Sequence, residues 1–243
     1  MPDAAPLSPV PPLAPLGPMT LARGRVHEIC GPARHTLAAL VAGAAQPEGP
    51  VLWLRPGWRA ERLGAQGLAR LMPDPGALIV VPCKAPVDVL WGMEEALRSG
   101  AVALVVAELA DPPDLRQLRR LHLAAGDGLA RNRQAGRALP APLGLVLAAE
   151  SADSRITGVE SRWALHPLPP SAQPEGGLTS PALRASGRWR LARLLMRGLP
   201  PQDWDLQGHT PLSALQDRAP HIADPEIPEP AARIFALQIS SGG

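Results

Sequence analysis

The segments "AVALVVAEL" (101–109) and "PLGLVLAA" (142–149) are apolar at nearly every position. A strand with one wet face alternates apolar and polar residues, so runs like these must be covered on both faces. Shorter runs of the same kind stand at "RVHEIC" (25–30), "VLWL" (51–54) and "ALIVV" (77–81). Helix-like segments separate them: one after Pro32, one within Arg59–Leu71, then "PVDVLWGMEEALRSG" (86–100) and "DPPDLRQLRRLHLAAG" (111–126). This alternation predicts an α/β fold, a mostly parallel sheet flanked by helices. In the third helix Asp88 is placed as the N-cap and Gly100 just past the C-terminus. Val89, Leu90, Met93 and Leu97 make its apolar face.

After Glu150 the pattern changes. "SRWALHP" (161–167), "GRWRLARLLMRG" (187–198) and "DWDLQ" (203–207) alternate or carry Trp, and are read as antiparallel edge strands. The expected organisation is a proline-rich linker over 1–20, a core over 21–207 with a flexible loop near 167–186, and a tail over 208–243. The tail holds five prolines before "AARIFALQI" (231–239).

With 243 residues and 46% hydrophobic composition, the chain can build a full core. A net charge of +2 imposes no global field, so any basic surface must be local. Two cysteines, Cys30 and Cys83, cannot form a disulfide framework and point to a reducing compartment. The N-terminal segment lacks a basic start and is broken by prolines, unlike a signal peptide, and no window approaches 18 uninterrupted apolar residues. A cytoplasmic protein is expected.

"GRVHEICGPARHTLAALVAGA" (24–44) has the layout of a nucleotide-binding strand, loop and helix. A working phosphate loop needs two glycines with four residues between them, then Lys and Ser or Thr. The glycines let backbone N–H groups turn inward, Lys reaches the β- and γ-phosphates, and the hydroxyl holds magnesium. Counting from Gly31, those positions hold Thr36, Leu37 and Ala38. A shortened loop would bring Arg34, His35 and Thr36 into the Lys-Thr region, without a second glycine. A strand–turn–helix of purely structural use is the plainer reading, with anion binding at the helix N-terminus as the alternative.

The blocks "GRVHEICGP", "VLWLRPGW" and "EEALRSGAVALVVAEL" resemble successive core blocks of the bacterial recombinase A family, "RSGAVALVV" (98–106) most specifically. More closely, "LARGRVHEICGP", "GPVLWL", "LWGMEEALRSGAVALVVAEL", "RRLHLAA" and "GVESRWAL" resemble the inducible mutagenesis protein A (ImuA) family of recombinase-A-like accessory proteins. The resemblance runs from about Leu21 to Gln207. It implies a recombinase-A-like sheet with a relic of the nucleotide site at Gly31, Pro32, Arg34, His35, Thr36, Arg55 and Glu108. Arg55 stands where the family's water-activating acid is expected, Glu108 matches the magnesium-side acid, and the switch glutamine falls near Ala149. Phosphoryl transfer needs cradle, metal ligand and base together; of these only Glu108 remains. The expectation is a non-enzyme without a cofactor.

The resemblance further implies a role in SOS-induced, error-prone translesion DNA synthesis. The expected partner is an ImuB-type Y-family-like polymerase and, through it, the sliding clamp and an error-prone C-family polymerase. The alternatives are a cell-division inhibitor of the SulA type and a residual DNA-binding ATPase.

Two arginine runs are candidate DNA contacts: Arg116, Arg119, Arg120, Arg131 and Arg133 on the fourth helix, and Arg188 and Arg190 beside Trp189. Leu115, Leu118 and Leu121 are expected to face the sheet, leaving Arg116, Arg119 and Arg120 outward. Each run reads either as a solvated polar face or as a phosphate-backbone contact. Ile234, Phe235 and Leu237 are candidates for partner docking, or for packing back on the chain's own domain. His27, Cys30, His35 and Cys83 fit no metal spacing, since His27 and Cys30 point to opposite faces of a strand.

Overall fold

A computed structural model describes residues 11–137, 139–148, 158–169 and 187–208. Among them, an eight-stranded sheet forms the frame. In chain order its strands are β3 (Val26–Cys30), β4 (Val51–Pro56), β5 (Leu78–Cys83), β6 (Leu104–Glu108), β7 (Leu143–Leu147), β8 (Ser161–Leu168), β9 (Gly187–Met196) and β10 (Gln202–Gly208). The spatial order is β10-β9-β8-β3-β7-β6-β4-β5. β3, β4, β5, β6, β7 and β8 run parallel, and β9 and β10 continue the sheet antiparallel. This is the mostly parallel, recombinase-A-like α/β arrangement expected from the apolar runs. One expectation changes: β8 is not simply an antiparallel edge strand. It pairs parallel with β3 through Glu28↔Arg162 and Ile29↔Trp163, and antiparallel with β9.

The helices are α1 (Arg34–Ala45), α2 (Ala65–Ala69), α3 (Pro86–Ser99) and α4 (Leu115–Gln134). Strand side chains alternate between faces, and the core divides accordingly. Ile29, Trp53, Val106, Leu145 and Trp163 pack with α1 on one face. Val26, Leu54, Val105, Ala107 and Val146 pack with α3 and α4 on the other. The two covering helices of that second face touch at glycines. A Cβ on Gly128 would stand 2.2 Å from the Leu97 carbonyl oxygen, and Gly100, at φ +67°, closes α3 beneath it.

Several local expectations are corrected. Residues 13–20 of the expected 1–20 linker form, with Leu21, a hairpin of β1 (Leu13–Leu16) and β2 (Met19–Leu21). Its prolines hid an apolar set, Leu13, Leu16, Met19 and Leu21, which is buried against the α1 core. The helix expected within Arg59–Leu71 shrinks to α2, five residues with Gly67 inside it, a composition that holds little helix. Asp88 is not the N-cap of α3; it lies one turn in, and its carboxylate accepts the Ala85 N–H at 2.9 Å. Leu115 is exposed, because α4 begins there and turns only Leu118 and Leu121 inward. The loop positions 170–186, Ala149 and the tail from 209 lie outside the described residues.

The central strand carries polar side chains that others must satisfy. His27 is fully buried. Its Nε2–H donates to the Ala22 carbonyl at 2.9 Å, and its Nδ1 accepts the Ser161 hydroxyl at 2.7 Å. Ser161 Oγ in turn accepts the Trp163 indole N–H at 3.0 Å. The relay ties β8, β3 and the end of the hairpin, and requires a neutral imidazole. On the opposite face, buried Glu28 is paired with the Arg162 guanidinium. Burial raises the Glu28 pKa, and Arg162 opposes that rise.

Burial drives the His27 pKa down to about 4, helped by the charges of His122 and Arg25 and opposed by the bond to Ala22. In the unfolded chain the imidazole titrates near its ordinary 6.5. The unfolded state therefore binds the extra proton first as pH falls. His27's contribution is complete above about pH 6.5 and is lost between there and pH 4, roughly 3 kcal/mol in all. Urea unfolding across pH 7.5 to 4 should show this slope. A His27→Gln variant should be less stable at pH 7.5 and flatter across that window.

Candidate functional site

The seven positions expected as a nucleotide-site relic lie at the carboxyl ends of parallel strands or on the loop and helix that follow β3, the side where open α/β sheets take ligands. Gly31, at φ +88°, turns the chain out of β3, and α1 starts at Arg34 with Ala33 as an N-cap that offers no side-chain acceptor. The loop's amides are already engaged. Pro32 has no N–H, the Ala33 N–H donates to Leu165 O at 3.2 Å, and the Arg34 N–H donates to Gly31 O at 3.2 Å. A phosphate cradle uses amides of such a turn aimed at the ligand; here two of them close onto β8 and onto the loop itself. A Cβ on Gly31 would sit 3.2 Å from Leu165 O, so the loop lies tight against β8.

Glu108 ends β6 and is buried. Its Oε1 accepts the Trp53 indole N–H at 2.8 Å and lies 3.6 Å from His35 Nε2. Burial pushes the Glu108 pKa up, but the neighbouring His35, the hydrogen bond from Trp53 and the charge of Arg55 outweigh it, holding the carboxyl below its usual value. Arg55, at the end of β4, donates to the Glu61 carbonyl, while its Nε is buried with no partner among the described residues. His35 and Thr36 are half-buried on the first turn of α1. The structure thus brings His35, Arg55 and Glu108 together. It adds Trp53, which sequence reasoning missed although Trp53 sits two residues before Arg55, on the same face of β4.

The residues weighed for a metal are committed elsewhere. His27 is in its relay, Cys30 Sγ donates to Trp163 O at 3.7 Å, and Cys83 Sγ donates to Val81 O at 3.8 Å. Neither cysteine forms a disulfide. Among the described residues no three His, Cys, Asp or Glu side chains gather as a metal set.

The arginine candidates separate into two groups. Arg188 and Arg190 face Asp205 across the β9–β10 ladder, at 3.8 and 2.9 Å. Arg120 reaches Glu94 of α3 at 2.7 Å, and Arg98 closes on the same carboxylate. Burial opposes ionisation of Glu94, but the hydrogen bonds and charges of Arg98 and Arg120 hold its pKa low. Arg116, Arg119, Arg131 and Arg133 are exposed along α4, with no ion pair among the described residues. Arg193 does other work: its guanidinium lies 5.3 Å from the Trp204 ring centroid, and Trp204 stacks on Trp163. Ile234, Phe235 and Leu237 lie outside the described residues.

Removing the Glu108 carboxylate leaves the buried Trp53 N–H without its acceptor, which costs about 1–3 kcal/mol. Glu108→Ala should lose that much in urea unfolding at pH 7.5. Glu108→Gln keeps an acceptor at the same place and should lose less than half as much.

No protein-family model matches the chain. Its arrangement is similar to a crystal structure of SulA from Pseudomonas aeruginosa, at 21% identity and a TM-score of 0.39, covering 51% of this chain and 98% of that one. Two sequences named Protein ImuA, from two strains of Caulobacter vibrioides, are each 35% identical over 174 residues. The match covers 67% of this chain and 64% of each relative. On that identity and coverage the chain belongs to the ImuA family.

Proposed function

We propose that this chain is a non-catalytic accessory of damage-induced, error-prone translesion DNA synthesis. The sheet and its covering helices act as a rigid scaffold that couples an ImuB-type Y-family-like polymerase, and through it the sliding clamp and an error-prone C-family polymerase, to damaged DNA. Family membership supports the setting. One observation supports the absence of catalysis: the Glu108 carboxylate is occupied by Trp53 and His35 while the amides of Ala33 and Arg34 are bonded within the protein. Seating a triphosphate there would break those contacts, and no Lys stands in the loop to repay the loss.

The direct test has two arms. The purified chain should show neither ATP turnover nor saturable ATP binding at millimolar nucleotide, and Glu108→Ala should change neither. Turnover that depends on Glu108 would overturn the proposal. Affinity capture should recover the ImuB-type polymerase; recovery of a cell-division tubulin homologue instead would point to the SulA-type reading.

DNA contact, on this proposal, falls to the unpaired arginines of α4. Each phosphate contact adds about 0.9 to the slope of log affinity against log salt. Arg116→Gln with Arg119→Gln should lower that slope by about 2. Arg188→Gln with Arg190→Gln should leave it unchanged, because Asp205 already holds both guanidiniums. An unaltered slope in the α4 variant would remove that helix as the contact.

A further inference from the structure

The helices α3 and α4 cover one face of the sheet side by side and run in the same direction, since each links one parallel strand to another. Three contacts fix their register. The Leu97 carbonyl lies against Gly128, Arg98 Nε stands 3.9 Å from Asp127, and Arg120 reaches Glu94 at 2.7 Å. Trp91 comes one turn before Glu94 on α3, so it stands alongside the Arg116–Leu123 stretch of α4.

Val89, Met93 and Leu97 of α3, and Leu118, Leu121 and Ala125 of α4, are buried toward the sheet. The opposite side of each helix therefore faces outward. On α3 it carries Val87 and Trp91, four residues apart, 68% and 63% exposed. On α4 it carries Arg116, Arg119 and Leu123, spaced at i, i+3 and i+7 and all exposed. Neither arginine has an ion pair among the described residues. The carboxylates of the two helices and their caps are engaged within the chain. Asp88 takes the Ala85 amide, Asp114 the Gln117 amide, Glu94 both Arg98 and Arg120, and Glu95 and Asp127 also face Arg98. An apolar stripe thus stands beside a basic one whose charge the layer's own carboxylates do not meet.

We propose that this double stripe seats single-stranded DNA, with phosphates on Arg116 and Arg119 and an unstacked base on the Trp91 indole. The inference rests on the reading that α4 is the helix that meets DNA, and adds which form of DNA it meets. Phosphates alone call for guanidiniums and give an exposed indole nothing to do. A duplex presents its backbone to arginines but keeps its base faces stacked inside, out of reach of a side chain on a helix surface. A single strand exposes backbone and base faces together, and any base stacks on an aromatic ring whatever the sequence. Packed helices lie about 8–10 Å apart, so the backbone can follow α4 while a base reaches across to α3. Val87, one turn from Trp91, extends the apolar side of the seat.

Fluorescence anisotropy on the full chain tests this, with labelled oligothymidylate as a single strand and annealed to oligodeoxyadenylate. Trp91→Ala should weaken single-strand binding about tenfold. It should leave duplex binding and both salt slopes unchanged, because no phosphate contact is lost. Trp91→Phe should restore most of the affinity, and both variants should unfold in urea at the wild-type midpoint, since the indole is mostly in water. Single-strand affinity that Trp91→Ala leaves unchanged overturns the inference; the α4 contact then stands on the lowered slope of Arg116→Gln with Arg119→Gln. A slope unaltered by that arginine pair removes the α4 reading, and this inference with it. Equal weakening of single strand and duplex by Trp91→Ala also overturns the inference. So does loss of the captured polymerase with DNA binding intact, which gives the stripe to a protein partner.

Discussion

The constraint on which the rest depends is the position of β3. It lies between β7 and β8, parallel to both, and every one of its five residues is buried. A strand buried on both faces must satisfy each polar side chain it carries, and β3 carries two in succession. His27 is met by Ser161 and Ala22, and Glu28 by Arg162. These contacts explain why β8 runs parallel beside β3 when its sequence suggests an edge strand. They also explain the hairpin, since Ala22, which accepts the imidazole proton, follows β2 directly.

The same position decides the chemistry of the loop that leaves β3. With β8 packed alongside, the Ala33 amide finds Leu165 O, and the turn is tightened by its own Gly31 carbonyl. Two strands over, Glu108 is buried at the end of β6 and is stabilised as a carboxylate by the indole of Trp53 and by His35 and Arg55. Glu108 and the Ala33 and Arg34 amides are thus engaged by groups of the protein itself. Among the described residues, arginines without an ion pair stand on the outer side of α4.

Much of this was legible along the chain. The continuous apolar runs located the parallel strands to within a few residues, because a doubly covered strand has no freedom to alternate. The absence of Lys and of a second glycine after Gly31 was equally plain. Other features were hidden for physical reasons. The prolines before Gly17 masked a hairpin whose leucines bury under α1. Leu115 matches the apolar periodicity but precedes the point where α4 meets the sheet. Trp53 has the look of an ordinary core residue until Glu108 arrives from another strand 55 residues on to accept its N–H.

By itself, the sequence determined the fold class, the strand–loop–helix unit and the residues missing from it, since these follow from local pattern and residue chemistry. Tertiary structure decided which charges are spent. Arg120, Arg188 and Arg190 look the same in sequence as Arg116 and Arg119, yet Glu94 and Asp205 neutralise the first three. Only the folded sheet brings those carboxylates within reach, because ion pairing depends on distance in space and not on spacing along the chain.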